Sequence, residues 1–358
     1  TQLIDAHFSA PVRSSVAQWM HAHSLEDCQR ALGNPVELAS ELTPKVEILL
    51  SEAGTSLYSL QKHAWTHPVI HLRSVFDATE LPETPSAFAP VPDVAATIAA
   101  RATAIVALAM LNAQTVSYGS ENDGHLFVNL VVLPGDGDFA TKSKSDMRGH
   151  TDGVYFPIRG QVHELEERFA PSPDFVCLSG LRNPDGVSTT VMPLSSVLAL
   201  LSPGDVEELT KPQYVLRPQK TFRLGFKKLF GNDSKFLKPL PGVQLLFEGD
   251  DGHWIRFSHS AAETEDDASP AGRAIRNFET ACQGCVNSVV IAPGDVVIVN
   301  NRIGLHGRSE VGGEAGGTSR WLLRTYGLDI DCVGDHQRYS DSVFKLYPLS
   351  LIHISEPT

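Results

Sequence analysis

Cysteine is scarce in this chain, with five in 358 residues, and the number is odd. A dense disulfide framework belongs to small secreted domains that cannot build a core, so this usage points to reduced thiols. Cys282 and Cys285 form the only Cys-x-x-Cys pair, and no second Cys or His pair follows them at zinc-finger spacing. A His-Glu-x-x-His segment is also missing, which removes the usual means of placing a hydrolytic zinc beside its general base. Positive charge is short: 29 basic against 42 acidic residues leave a net charge of −13. Nucleic acid and anionic membranes both need a basic surface, so neither is expected as a partner. The same acidity would attract a cationic ligand. No apolar run is long and unbroken enough for a bilayer, since the longest, around Ala95 to Ala113, is rich in alanine and interrupted by Arg101. The segment Thr1 to Asp5 lacks a basic region followed by an apolar core, which leads to the expectation of a cytoplasmic protein. There is no internal repeat.

What is present is enough apolar residue, 42%, to fill a large core in a single domain over residues 1–358. The first part, to about residue 113, reads as helical. Apolar residues fall near helical spacing from Val36 to Glu52, and Asp93 to Asn112 forms a second helix that Asp93, after Pro92, can cap. Pro82 to Pro92 connects them. From about 114 to 330 short strands dominate: Phe127–Leu133, Phe175–Gly180, Ser188–Met192, Val243–Phe247, Trp254–Phe257, Val289–Ile291, Val296–Val299 and Arg320–Leu328. Ser195–Leu201 and Pro203–Thr210 are a helical interlude, and residues 331–358 form a C-terminal extension, whose end from Ser350 to Thr358 carries no recognisable chemistry. Many short strands bounded by Gly, Pro and Asp indicate a double-sheet jelly roll or barrel, here with flanking helices in a mixed α+β fold.

Three residues stand out against this background. His150 and Asp152 flank Thr151, and His306 lies far downstream in the segment Asn300 to Arg308 that leaves a short buried strand. Two imidazoles and one carboxylate are the donor set of a non-haem iron site that keeps coordination positions open. After a Gly-rich loop, Arg320 and Arg324 follow on the next strand, in a hairpin-like arrangement with the histidine. Their even spacing puts both on one face, about 13 Å apart at the usual rise per residue. Arginine presents a planar fork that suits carboxylates. Each of these residues also has a plainer reading, as a hydrogen-bonded histidine, a turn aspartate or a surface ion pair.

Gly149-His150-Thr151-Asp152-Gly153, Arg182 to Gly186 with Thr190, and Asn300 to Arg308 followed by Ser319 to Arg324 resemble the iron(II)/2-oxoglutarate oxygenases of the clavaminate synthase-like group. That group contains hydroxylases of free lysine, arginine and asparagine. The likeness runs roughly from Gln114 to Tyr326, and it implies a double-stranded β-helix core. It also implies that His150, Asp152 and His306 hold Fe(II), and that Arg320, assisted by Thr190, takes the distal carboxylate of 2-oxoglutarate. Arg324 would take the substrate α-carboxylate, and Glu121 is a candidate for its α-amino group. Several amino-acid hydroxylases of the group carry Glu where this chain has Asp152; either carboxylate can ligate iron.

Asp250-Asp251-Gly252 is first a turn signal between two strand-like runs. In the resembling arginine hydroxylases an acidic loop at the comparable place grips the cationic side chain, so Asp250 and Asp251 are candidates for the same task. The reaction implied is oxidative decarboxylation of 2-oxoglutarate with O2, coupled to hydroxylation of an unactivated carbon. The carboxylate of Asp152 favours hydroxylation over the halogenation of relatives that replace it with a small residue. The expected substrate is a free basic L-amino acid, lysine first and arginine second. The readings from other classes are a non-catalytic jelly-roll protein that binds a small anion and a zinc-dependent hydrolase.

Overall fold

A computed structural model describes residues 6–249 and 251–347 of the chain. Thr1 to Asp5, Asp250 and the tail from Ser350 to Thr358, all mentioned above, lie outside the described residues.

The N-terminal part is helical, with Ala6–Ala22, Leu25–Ala31, Pro35–Glu52 and Leu57–Thr66 followed by Ala95–Met110. Local chemistry sets three of the starts. The side chains of Ser24, Asn34 and Ser56 accept the backbone N–H of Asp27, Glu37 and Ser59, and Pro35 occupies the first turn where its missing donor costs nothing. Leu38, Leu42, Val46 and Leu50 recur at four-residue intervals and are buried, giving Pro35–Glu52 one apolar face. Ala95–Met110 is buried on nearly every side because it lies between other helices and a sheet, which explains its alanine content. Asp93 does not cap it. The N-cap residue is Val94, and Asp93 instead accepts from Arg101 at 2.7 Å and Gln29 at 2.6 Å. The buried guanidinium of Arg101 competes successfully for that carboxylate.

Two antiparallel sheets form the jelly roll. The larger runs in the order Val69–Leu72, Val296–Asn300, Phe175–Arg182, Trp321–Leu328, Gln114–Tyr118, Lys345–Leu346, with Val128–Val131 also paired to Trp321–Leu328. Among the described residues only Lys345–Leu346 pairs in parallel fashion. The smaller sheet has the order Asn287–Val290, Ser188–Pro193, Gly304–Arg308, Met147–His150. Alternation divides the larger sheet between two cores. Phe175, Cys177, Val296, Ile298, Trp321 and Leu323 pack with the N-terminal helices. Their neighbours Val176, Leu178, Val297, Val299 and Leu322 turn the other way and join the core with the smaller sheet. Each fully buried side chain of this size contributes roughly 1.5–3 kcal/mol, so a one-residue slip in register would exchange two cores at once.

Two sequence expectations shift here. Val243–Phe247 spans a break between strands of different sheets: Leu240–Val243 pairs with Tyr214–Leu216, and Leu246–Gly249 forms a hairpin with Gly252–Ile255. The strands of His306 and of the two arginines are not hairpin neighbours, since Gly304–Arg308 belongs to the smaller sheet and Trp321–Leu328 to the larger. The Gly-rich loop between them crosses from one sheet to the other, so the ligand and the clamp face each other across the sandwich. All five cysteines are unpaired, and no helix among the described residues is long and apolar enough to cross a membrane.

Candidate metal centre

His150 ends the edge strand of the smaller sheet, and His306 sits directly opposite it on the next strand. Close approach of these strands requires a bare position at Gly307, where a Cβ would lie 2.0 Å from the Met147 carbonyl oxygen. The two imidazole centroids are 4.7 Å apart. Asp152 follows in the turn after the strand, its carboxylate oxygens 3.3 Å from His150 Nε2 and 3.8 Å from His306 Nε2. The three donor atoms lie within 4.8 Å of one another and could hold one metal ion.

The backbone orients this set. His150 Nδ1 is 3.0 Å from the Arg148 carbonyl, and His306 Nδ1 is 3.4 Å from that of Gly304. With Nδ1–H donating to these carbonyls, each ring keeps its Nε2 lone pair for the common centre. Asp152 is held from behind by Asn301, which accepts its N–H at 2.8 Å and donates to its carbonyl at 3.0 Å. Gln219 accepts the N–H of Gly153 at 3.1 Å. Burial disfavours charge on Asp152, but the His150 and His306 rings beside it outweigh that and hold the carboxyl well below the ordinary range.

The donors open into a cavity of about 110 Å³ between the sheets, walled by Leu130, Val176, Leu178 and Leu322 and crossed by Arg320 and Arg324. The even spacing of the two arginines does put them on one face. Arg324 meets Glu121 at 3.0 Å, comes within 4.0 Å of Asp152 and stacks on the Tyr326 ring at 4.5 Å. Burial opposes its charge, yet Glu121, Tyr326 and Asp152 hold the guanidinium above its ordinary value. Arg320 is buried, 5% exposed, but makes no ion pair or side-chain hydrogen bond among the described residues, and its Nε, like that of Arg324, is left without a partner. Burial, reinforced by the nearby Arg308 charge, pushes it down to about 9.

The structure thus brings together His150, Asp152, His306, Arg320, Arg324 and Glu121. Thr190 is a correction. It faces the groove between the smaller sheet and the helix Pro270–Gly284, beside Met192 and Cys282, while its neighbour Thr189 faces the donor cavity. One residue of strand parity separates the two. Asp251 is exposed in the turn of the Leu246–Gly249 hairpin and does not line the donor cavity, and Asp250 lies outside the described residues. Asn301 and Gln219 escaped sequence reasoning because their amides serve the backbone of Asp152 and Gly153, a role without a motif. The Asn300-Asn301 pair at the strand end was the available signal.

Fold and donor set define a class: a jelly-roll protein with a mononuclear site of two imidazoles and one carboxylate, closed on one side by arginines. The sequence model described as "Taurine catabolism dioxygenase TauD, TfdA family" matches residues 91–326, and the chain belongs to this family. It is similar to an L-asparagine oxygenase of Streptomyces coelicolor, 29% identical over 210 residues that cover 58% of this chain and 56% of that protein. It is also similar to an L-lysine 3-hydroxylase of Catenulispora acidiphila, 24% identical over 238 residues covering 64% of this chain and 58% of the relative. The chain therefore spans less than two thirds of either protein's length. Among solved structures, an asparagine oxygenase in complex with Fe(II), 2S,3S-3-hydroxyasparagine and succinate matches with a TM-score of 0.73 at 22% identity, over 96% of this chain and 98% of the other. That likeness gives the fold.

Proposed function

We propose that this chain is an iron(II)- and 2-oxoglutarate-dependent oxygenase that hydroxylates a free L-α-amino acid. One observation carries the reading: a cavity that holds a two-histidine, one-aspartate cluster also holds Arg320, a buried cation without an anion. A buried charge is retained at a cost of several kcal/mol unless something pairs with it, and a dicarboxylic cosubstrate would do so. The donors fit the metal as well, because imidazole with carboxylate suits ferrous iron and no further His, Cys, Asp or Glu among the described residues joins the cluster. When bound, iron with 2-oxoglutarate and O2 supplies oxidative decarboxylation to succinate and transfer of one oxygen atom into a C–H bond.

The protein's own residues bind, orient and exclude water. Arg320 would fork onto the distal carboxylate, with the Thr189 hydroxyl as a second donor in place of Thr190. Glu121 and Arg324, paired at 3.0 Å, offer one charge of each sign. An amino-acid zwitterion can insert between them, its carboxylate on Arg324 and its ammonium on Glu121, without leaving either charge buried alone. Leu130, Val176, Leu178 and Leu322 keep the space between clamp and donors dry. The asparagine and lysine relatives support an amino acid as substrate.

Lysine or arginine as the particular substrate rests on Asp250 and Asp251, on the net charge of −13 and on the likeness in the motif segments. Asp251 at its exposed turn gives a cationic side chain no partner in the cavity, so the reading is carried at the level of the amino acid. The test is a panel of free amino acids incubated with the protein, Fe(II), ascorbate, 2-oxoglutarate and O2, read by mass spectrometry. A gain of one oxygen with matching succinate is expected, and His150→Ala should remove both. Binding of 2-oxoglutarate without any succinate would instead favour the non-catalytic anion-binding protein, and activity with zinc but none with iron the hydrolase.

A further inference from the structure

The donor cavity continues into a second one through Leu130, Met147, Arg308 and Arg324, which line both. Its walls are Phe88, Val128, Phe139 and Thr221, and a third cation joins Arg308 and Arg324 in lining it: Lys142, from the short helix Asp138–Lys144. The surrounding lysines each have a carboxylate. Lys144 is 3.8 Å from Glu314, Lys220 is 3.1 Å from Asp138, and Lys228 pairs with Asp123. Lys142 has no ion pair and no side-chain hydrogen bond among the described residues, although it is only part exposed. Burial lowers its pKa, helped by the charges of Lys220 and Arg308 and opposed by those of Asp152 and Glu121.

The charge balance of the combined space is one-sided. Lys142, Arg308, Arg320 and Arg324 line it, Asp152 is the one lining carboxylate among the described residues, and Glu121 stands paired with Arg324. A dicarboxylic cosubstrate would answer Arg320, and an α-amino-acid zwitterion would answer Arg324 and Glu121 together. Lys142 would still lack an acceptor. A substrate ammonium or guanidinium pointing this way would meet Lys142 and Arg308, two like charges, between the Phe88 and Phe139 rings, whose centroids are 6.4 Å apart.

We infer that the substrate side chain ends in an oxygen acceptor, a carboxylate or carboxamide, and that Lys142 is the residue that selects it. This rests on the amino-acid oxygenase reading. Lys142 is a specificity residue here, with no part in the metal centre.

The experiment measures hydroxylated product and succinate for aspartate, glutamate, asparagine and glutamine against lysine and arginine, using the full chain and its Lys142→Met and Lys142→Glu variants. Wild type should prefer an acceptor substrate, the carboxylates and carboxamides being separated by their individual rates. Lys142→Met should lose roughly tenfold to hundredfold in kcat/KM for that substrate, mostly through KM. Lys142→Glu should reverse the preference towards lysine or arginine, a gain that misfolding does not produce. Wild type that hydroxylates lysine or arginine best, with a ratio that Lys142→Glu leaves unchanged, overturns the inference while the oxygenase reading stands. Absence of product from every amino acid overturns both.

Discussion

Arg320 and Arg324 occupy the same face of one chain segment, four residues apart, and differ in how their charges are answered. Arg324 has Glu121 at 3.0 Å and an aromatic ring beneath it, so its charge is answered within the protein. Arg320 has neither, and the charge that acts on it is another cation, Arg308. A folded chain tolerates an unanswered buried cation only where its use compensates the cost. The paired arginine is thus suited to a ligand that is neutral overall and the unpaired one to a ligand that is an anion.

The largest effect that could break this comparison is on stability. Arg324→Met should leave Glu121 buried without its partner and cost about 3–5 kcal/mol, whereas Arg320→Met should cost nothing or stabilise the ligand-free protein. Urea unfolding of both variants reads the contrast, and equal losses would show that Arg320 has an internal partner. Binding should separate the two in the opposite sense. Arg320→Met should raise the KM for 2-oxoglutarate roughly hundredfold through lost charged hydrogen bonds, with little change for the amino acid, while Arg324→Met should do the reverse. Steady-state kinetics with one substrate varied at a time checks this. Fe(II) with 2-oxoglutarate at a hundred times its Kd should stabilise the wild type by about 2.7 kcal/mol, and a chelator should remove that gain. The smallest effect concerns strand parity: Thr189→Val should raise the KM for 2-oxoglutarate by roughly threefold to tenfold, and Thr190→Val should leave it unchanged.

The donor residues and the shared face of the arginines were legible because they depend on residue type and on the two-residue period of a strand. The same period shows where reading stopped. Ser188 to Pro193 was recognisable as a strand, yet which of two adjacent threonines faces inward depends on its pairing with Gly304–Arg308, where Gly307 sits opposite Thr190 and points outward with it. The crossing of the Gly-rich loop between sheets was illegible for a similar reason: adjacency in sequence suggests a hairpin, and only the long-range pairing with Phe175–Arg182 assigns Trp321–Leu328 to the other sheet. Asp138–Lys144, Lys220–Phe230 and Pro270–Gly284 were not read as helices, although Ser269 caps the last ahead of Pro270 and Phe222, Phe226 and Leu229 mark the buried side of the second. Lys142 attracted no notice because a lysine in a polar segment is ordinarily solvated, and its lack of a partner is a fact of three dimensions.

The central claim is that one cavity holds a ferrous ion on His150, Asp152 and His306 and a dicarboxylic 2-oxoacid on Arg320. Anaerobic titration of the protein with Fe(II) and 2-oxoglutarate, followed by visible absorption, tests it most directly. A weak charge-transfer band should grow to one equivalent in the wild type, vanish in His150→Ala and require far more 2-oxoglutarate in Arg320→Met. No band in the wild type, or the same titration curve with Arg320→Met, would contradict the account.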